Sequence, residues 1–196
     1  MRKCNIERNT NETKIKVELN IDGTGQYENN TGVGFLDHML DLFARHGRFD
    51  LNVFCDGDTH IDYHHSVEDI GIAIGKCFSD ALDDMRGINR YGNCYMPMDE
   101  ALTFVAIDIS GRPLLNFDVI MPTEKVGNFD TELVQEFFLG LTRNMKATIH
   151  IKNIYGENTH HIIESIFKGF ARALKEAVSI NNDYINEIPS TKGVLI

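Results

Sequence analysis

Apolar and polar residues alternate over Ile15–Asn20 (IKVELN), which predicts a half-buried strand. Asp22-Gly23-Thr24-Gly25 supplies turn chemistry, so Gln26–Thr31 is expected to return as the hairpin partner of that strand. From Phe35 to His46 the period lengthens. Phe35, Leu36, Met39, Leu40 and Phe43 share one helical face, and Gly47 is placed to cap it. Phe49–Cys55 reads as a strand, Asp56-Gly57-Asp58 as a turn, and His65–Met85 as a helix stopped by Arg86-Gly87.

The order then recurs. Leu102–Ser110 (LTFVAIDIS) predicts a buried strand that ends in Gly111-Arg112-Pro113, with Leu114–Val119 as its expected partner. Thr131–Asn144 is an amphipathic helix with Leu133, Val134, Phe137, Phe138 and Leu141 on its apolar face and Asp130 or Thr131 as N-cap. Thr148–Ile154 is a strand, Gly156-Glu157-Asn158 a turn, and His160–Ser179 a long helix. Each half thus reads strand, strand, helix, strand, helix. The sequence predicts an α+β protein of two duplicated half-domains, residues 1–92 and 93–196, with sheets packed against helices.

The last helix of each half opens on the same pentad: His64-His65-Ser66-Val67-Glu68 and His160-His161-Ile162-Ile163-Glu164. Within each, the glutamate lies one turn from the histidines. Adjacent histidines point about 100° apart on a helix, so the simplest arrangement gives each its own ion. Imidazole and carboxylate suit zinc, iron or manganese without any thiolate. Solvated first-turn histidines ahead of a helix-stabilising glutamate would explain one pentad; two at matched places favour a metal centre. From spacing, His38 reads either as a histidine satisfied by a backbone carbonyl or as a further ligand. Glu136 matches it by element order in the second half.

Composition narrows the partners. A net charge of −10 and no basic stripe argue against nucleic acid, while a few focused cations can still hold an anionic substrate. Arg90 and Arg112 lie on glycine-flanked turns, and Ser190-Thr191-Lys192-Gly193 could cradle a phosphate. The four cysteines have no CxxC spacing, no run approaches membrane-spanning length, and the first residues contain no apolar leader, so a cytoplasmic protein is expected. His46, His60 and His150 have no partners in sequence and are expected in the core or behind the ligands.

Taken together, GFLDHML (34–40), DYHHSVED (62–69), GINRYG (87–92), SGRP (110–113), NTHHIIE (158–164) and PSTKGVL (189–195) resemble the imidazoleglycerol-phosphate dehydratase family of histidine biosynthesis, from about Arg8 to the C-terminus. The resemblance implies a hollow 24-subunit homo-oligomer with active sites between subunits, two Mn2+ per subunit and a phosphorylated imidazole substrate. It assigns the metal ligands to His38, His64, His65, Glu68, Glu136, His160, His161 and Glu164; many members carry histidine at position 136. It places Glu12 on the substrate as the proton-handling group, and Arg90, Arg112, Lys168, Ser190 and Lys192 on substrate and phosphate. In such a site an imidazolate expels the neighbouring hydroxyl, giving a diazafulvene-like species that loses a carbon-bound proton; the enol tautomerises to imidazole acetol phosphate. Two other classes use similar residues. A dinuclear metal hydrolase would release inorganic phosphate, and a metal-storing shell protein would leave the cations without a task.

Overall fold

The computed structural model describes residues 2–195; Met1 and Ile196, the outer bounds of the two half-domains, lie outside the described residues. The first half contains strands β1 (Lys3–Asn9), β2 (Thr13–Asn20) and β3 (Tyr27–Asn30), helix α1 (Gly34–Gly47), strand β4 (Asp50–Gly57) and helix α2 (His64–Leu82). The second follows with β5 (Tyr91–Met98), β6 (Ala101–Asp108), β7 (Leu114–Asp118), a short hairpin β8 (Lys125–Val126) and β9 (Phe129–Asp130), α3 (Leu133–Met145), β10 (Thr148–Tyr155) and α4 (Thr159–Val178). The two four-stranded sheets have orders β1-β2-β4-β3 and β5-β6-β10-β7, the same path traced twice. The fold is α+β with a duplicated pattern.

Two expectations about pairing are corrected. Residues 27–30 do not fold back on β2: β3 lies parallel to β4, with Tyr27 opposite Leu51, and α1 makes the crossover. Likewise β7 pairs parallel with β10 rather than with β6. Each half also gains an antiparallel edge strand, β1 on β2 and β5 on β6. These edges expose alternate residues and carry few of the β-branched side chains that announce a strand.

Helix ends differ for physical reasons. Gly47 lies inside the helix, where the missing side chain makes room for the Phe49 ring (a Cβ would lie 2.3 Å from it), and Arg48 rather than Gly47 takes the left-handed capping turn at φ 59°. α2 stops at Leu82, since Asp83 and Met85 adopt φ of 50° and 60°. The N-cap of α3 is Glu132, with no side-chain cap bond; the Thr131 hydroxyl donates to the carbonyls of Thr123 and Glu124 instead.

The helices pack on the inner faces of the sheets, α2 over β1, β2 and β4, and α4 over β5, β6 and β10. Phe43 stacks on Phe170 at 5.6 Å between ring centroids and Phe170 meets Phe138 at 5.1 Å, so one aromatic core joins the halves. Glycines let α2 and α3 touch backbone to backbone: a Cβ at Gly71 would lie 2.3 Å from Phe137 O, and one at Gly140 would lie 2.7 Å from Glu68 O.

Candidate active site

α4 starts where Asn158 caps it, its Oδ1 accepting from the backbone N–H of His160 at 2.9 Å and His161 at 3.4 Å. That start fixes the pentad side chains. Glu164 Oε1 lies 3.1 Å from His160 Nε2 and 3.0 Å from His38 Nε2, the latter brought by α1 packing on α4. His38 is 46% exposed while the Glu164 side chain is 9% exposed, so His38 is a ligand candidate at the mouth of the site and not a core histidine. The other carboxylate oxygen, Oε2, accepts from Lys168 Nζ at 2.5 Å. Burial pushes the Glu164 carboxyl up, but Lys168, His38 and His160 outweigh it and hold it down at about 2. His38, His160 and Glu164 offer three ligand atoms within 4.8 Å of one another, a fit to a borderline divalent ion.

The second pentad repeats half of this arrangement. His64 Nε2 and Glu68 Oε2 are 3.8 Å apart, one turn along α2. The contacts of Gly71 with Phe137 and of Gly75 with Leu141 mean that α2 and α3 run side by side in the same direction, which sets Glu136, one turn before Gly140, at the level of this pentad. Among the described residues only His38, His160 and Glu164 close to within 4.8 Å as a set; Glu136 shares the level of His64 and Glu68 along the paired helices without completing such a cluster.

The second histidine of each pentad meets turn carboxylates. His65 Nδ1 lies 2.9 Å from Asp58 Oδ2 and its Nε2 lies 3.8 Å from Glu12 Oε1. His161 Nδ1 lies 2.7 Å from Glu100 Oε2 and its Nε2 lies 3.8 Å from Asp99 Oδ2. Both histidines are raised above the ordinary value, His65 by the hydrogen bond with Asp58 and His161 by that with Glu100. Glu100 is drawn down to about 2 by His161 and by the backbone N–H of Asn158. Each pair fixes one imidazole nitrogen and leaves the other free to coordinate.

The candidate phosphate contacts gather elsewhere. Arg90, at φ 70°, clamps Asp108 through Nε at 2.7 Å and Nη2 at 3.1 Å, and Nη1 donates to Pro189 O at 2.9 Å. Arg90 therefore ties the Ser190–Lys192 tail to the far end of β6, where Arg112 follows directly. The tail is itself a tight turn, with Lys192 N donating to Ser190 Oγ at 3.2 Å. Lys168 stays at the metal end with Glu164.

The family model described as imidazoleglycerol-phosphate dehydratase matches residues 31–174, which contain both pentads, His38 and Glu136. The chain belongs to the imidazoleglycerol-phosphate dehydratase family. Among curated members, that of Clostridioides difficile is 58% identical over 195 residues, covering 100% of both chains. That of Azorhizobium caulinodans is 55% identical, over 100% of this chain and 99% of its own. The Staphylococcus aureus dehydratase structure superposes with a TM-score of 0.83 at 45% identity, covering 90% of this chain and 98% of that one. The Pyrococcus furiosus dehydratase structure gives 0.84 at 40%, covering 97% and 100%.

Sequence reasoning missed Asp58, Asp99, Glu100 and Asp108, all in turns or at a strand end, where aspartate and glutamate read as turn chemistry. The usable signal was their place: Glu12 and Asp99-Glu100 occupy the first turn of each repeat. His60 and His150 are exposed, not core, and only His46 is partly buried.

Proposed function

We propose that this chain dehydrates imidazoleglycerol phosphate to imidazole acetol phosphate, a hydro-lyase step of histidine biosynthesis. The observation that carries it is the Glu164 carboxylate facing His38 and His160 at 3.0 and 3.1 Å, with a looser counterpart in the other half, where His64 and Glu68 lie 3.8 Å apart. His38, His160 and Glu164 would hold one ion, and His64, Glu68 and Glu136 would begin a second set. His65 and His161 would offer their outer nitrogens, Nε2, as further ligands, each to an ion other than the one its neighbouring histidine holds. Two Mn2+ per subunit fit this hard and borderline donor set. When bound, they supply Lewis-acid stabilisation of the substrate's imidazolate.

The protein's own groups do the rest. Glu12, 3.8 Å from His65 Nε2, takes the carbon-bound proton, and passing that proton on balances the expelled hydroxide, so that one water leaves overall. Arg90, Arg112, Ser190 and Lys192 hold the phosphate, and Lys168 meets the substrate from the metal side, fixing its pose.

Distance supports a site shared between copies. The pentad of α4 lies at the Ala101 end of β6, where Glu100 meets His161, while Arg90 grips the Asp108 end. Eight strand residues put these ends about 23 Å apart, much farther than a glycerol phosphate reaches. The outer face of the second sheet, where the tilted rings of Tyr95 and Phe104 meet at 4.7 Å between centroids, offers aromatic surface for association. The number of copies, 24, is what the family resemblance implies. Four free cysteines suit a reducing cytoplasm, and among the described residues no helix is long and apolar enough to cross a membrane.

The test is manganese-loaded protein with imidazoleglycerol phosphate and mass detection. A product lighter by one water supports dehydration. Release of inorganic phosphate would replace this reading with that of a dinuclear hydrolase.

A further inference from the structure

α2 carries a buried carboxylate that no ligand set uses. Asp69 follows Glu68 and points inward, 7% exposed, where a charge is costly unless it serves as an acceptor. Its Oδ2 accepts from Thr13 Oγ1 and from Arg8 Nη1, each at 2.6 Å. An ionised carboxylate only accepts, so the Thr13 proton is committed to Asp69. Thr13 Oγ1 is then the acceptor in its 3.2 Å contact with Thr10 Oγ1, so the Thr10 hydroxyl donates to it. That leaves the lone pairs of Thr10 Oγ1 for the backbone N–H of Glu12 at 3.1 Å and of Thr13 at 3.0 Å. Asp69 thus orients the two hydroxyls of this relay, Thr13 directly and Thr10 through it. The backbone N–H groups can only donate, and the Thr13 carbonyl, 3.5 Å from Thr10 Oγ1, is a longer second acceptor.

From the other side, Asp58 N donates to Glu12 O at 3.1 Å, and Asp58 Oδ2 holds His65. The turn that carries Glu12 is thus fixed at both ends to the helix that carries His64, His65 and Glu68.

The second half shows that folding alone does not require this charge. Ser165 follows Glu164 as Asp69 follows Glu68, and it meets Thr103 on β6 through a neutral hydroxyl pair at 2.6 Å. A neutral pair closes helix against sheet there; only the Glu12 side uses an acceptor-only carboxylate buttressed by an arginine.

We propose that Asp69 is a positioning residue for Glu12, acting through Thr13 and Thr10 to hold that carboxylate against the metal-binding helix. The inference rests on the reading of Glu12 as the proton-handling group.

The experiment is a double-mutant cycle in the manganese-loaded, assembled protein. Asp69→Ala should lower kcat about 10- to 100-fold, with KM, metal content and particle size unchanged. Asp69→Asn, which keeps an acceptor at the same reach, should recover most of that loss. Thr10 is exposed, so Thr10→Val breaks the relay with little risk to folding and should lower kcat in the same sense. In a Glu12→Gln background neither Asp69→Ala nor Thr10→Val should reduce the residual rate further. Additive losses in that background, or a loss of metal with Asp69→Ala, would overturn the positioning role and leave Glu12 in place. A fully active Glu12→Gln enzyme would remove both.

Discussion

Glu164 concentrates the candidate centre on one carboxylate: Oε1 faces two imidazoles and Oε2 takes Lys168. Glu164→Gln keeps the shape but replaces an anion with an amide and leaves Lys168 without its partner. The gel-filtered variant should lose about one of its two ions per chain, with turnover falling in parallel; an unchanged manganese content by elemental analysis would remove Glu164 from the ligand set. Glu136 offers the complementary test. Imidazole is the softer donor, so Glu136→His should bind Zn2+ more tightly than the parent while still accepting Mn2+, as calorimetric titration with each metal would read. Legibility at this scale followed residue type. Paired histidines stand out as candidate ligands even without structure, whereas His38 was undecided until its exposure and its contact with Glu164 were known. Asp58 and Glu100 were invisible because their role is to orient an imidazole that is distant in sequence.

Both pentads begin helices, and the helices were the most legible elements because burying one face of each imposes a 3.6-residue period on the chain. The strands with alternating or continuous apolar runs, β2, β4, β6 and β10, could be read too. β1 and β5 could not, since an edge strand covered on one side carries a weak pattern, and β5 contains Gly92, Asn93 and Pro97. The parallel placement of β3 and β7 was illegible for another reason: a turn sequence signals reversal but not which strand the chain then joins. Glycine spacing on α2, by contrast, foretells close approach, and it connects the fold to the site. Gly71→Ala would place a methyl group 2.3 Å from the Phe137 carbonyl, which belongs to a helix backbone and cannot swing aside. Separating α2 from α3 should destabilise the protein by about 1–3 kcal/mol. It should also weaken metal binding at the His64–Glu68–Glu136 half more than at the His38–His160–Glu164 half. Thermal melts with manganese titrations would check both, and a variant as stable as the parent with equal loss at the two halves would contradict the packing account.

Across the whole molecule, duplication places two pentads on the same helical layer, and β6 separates the metal end of the second half from the Arg90–Arg112–tail end. On the proposed assignment of ligands and phosphate contacts, that span is too long for one small substrate, and metal ligands from one copy would face phosphate contacts from another. The arrangement makes a prediction that a self-contained site would not. A metal-defective chain (His38→Ala) and a phosphate-defective chain (Arg112→Ala) should each be inactive as pure assemblies. Co-expressed in equal amounts, they form mixed particles in which a site drawing its two parts from different copies finds both intact about a quarter of the time. Activity should therefore reappear at about that fraction of the parent value, and only after co-assembly, not on mixing finished particles that do not exchange subunits. A site contained in one chain would carry a lesion in every copy, and the mixed particles would stay inactive. Restored turnover in mixed particles of the same size as the parent would tie the separation along β6 directly to why this chain works as an assembly.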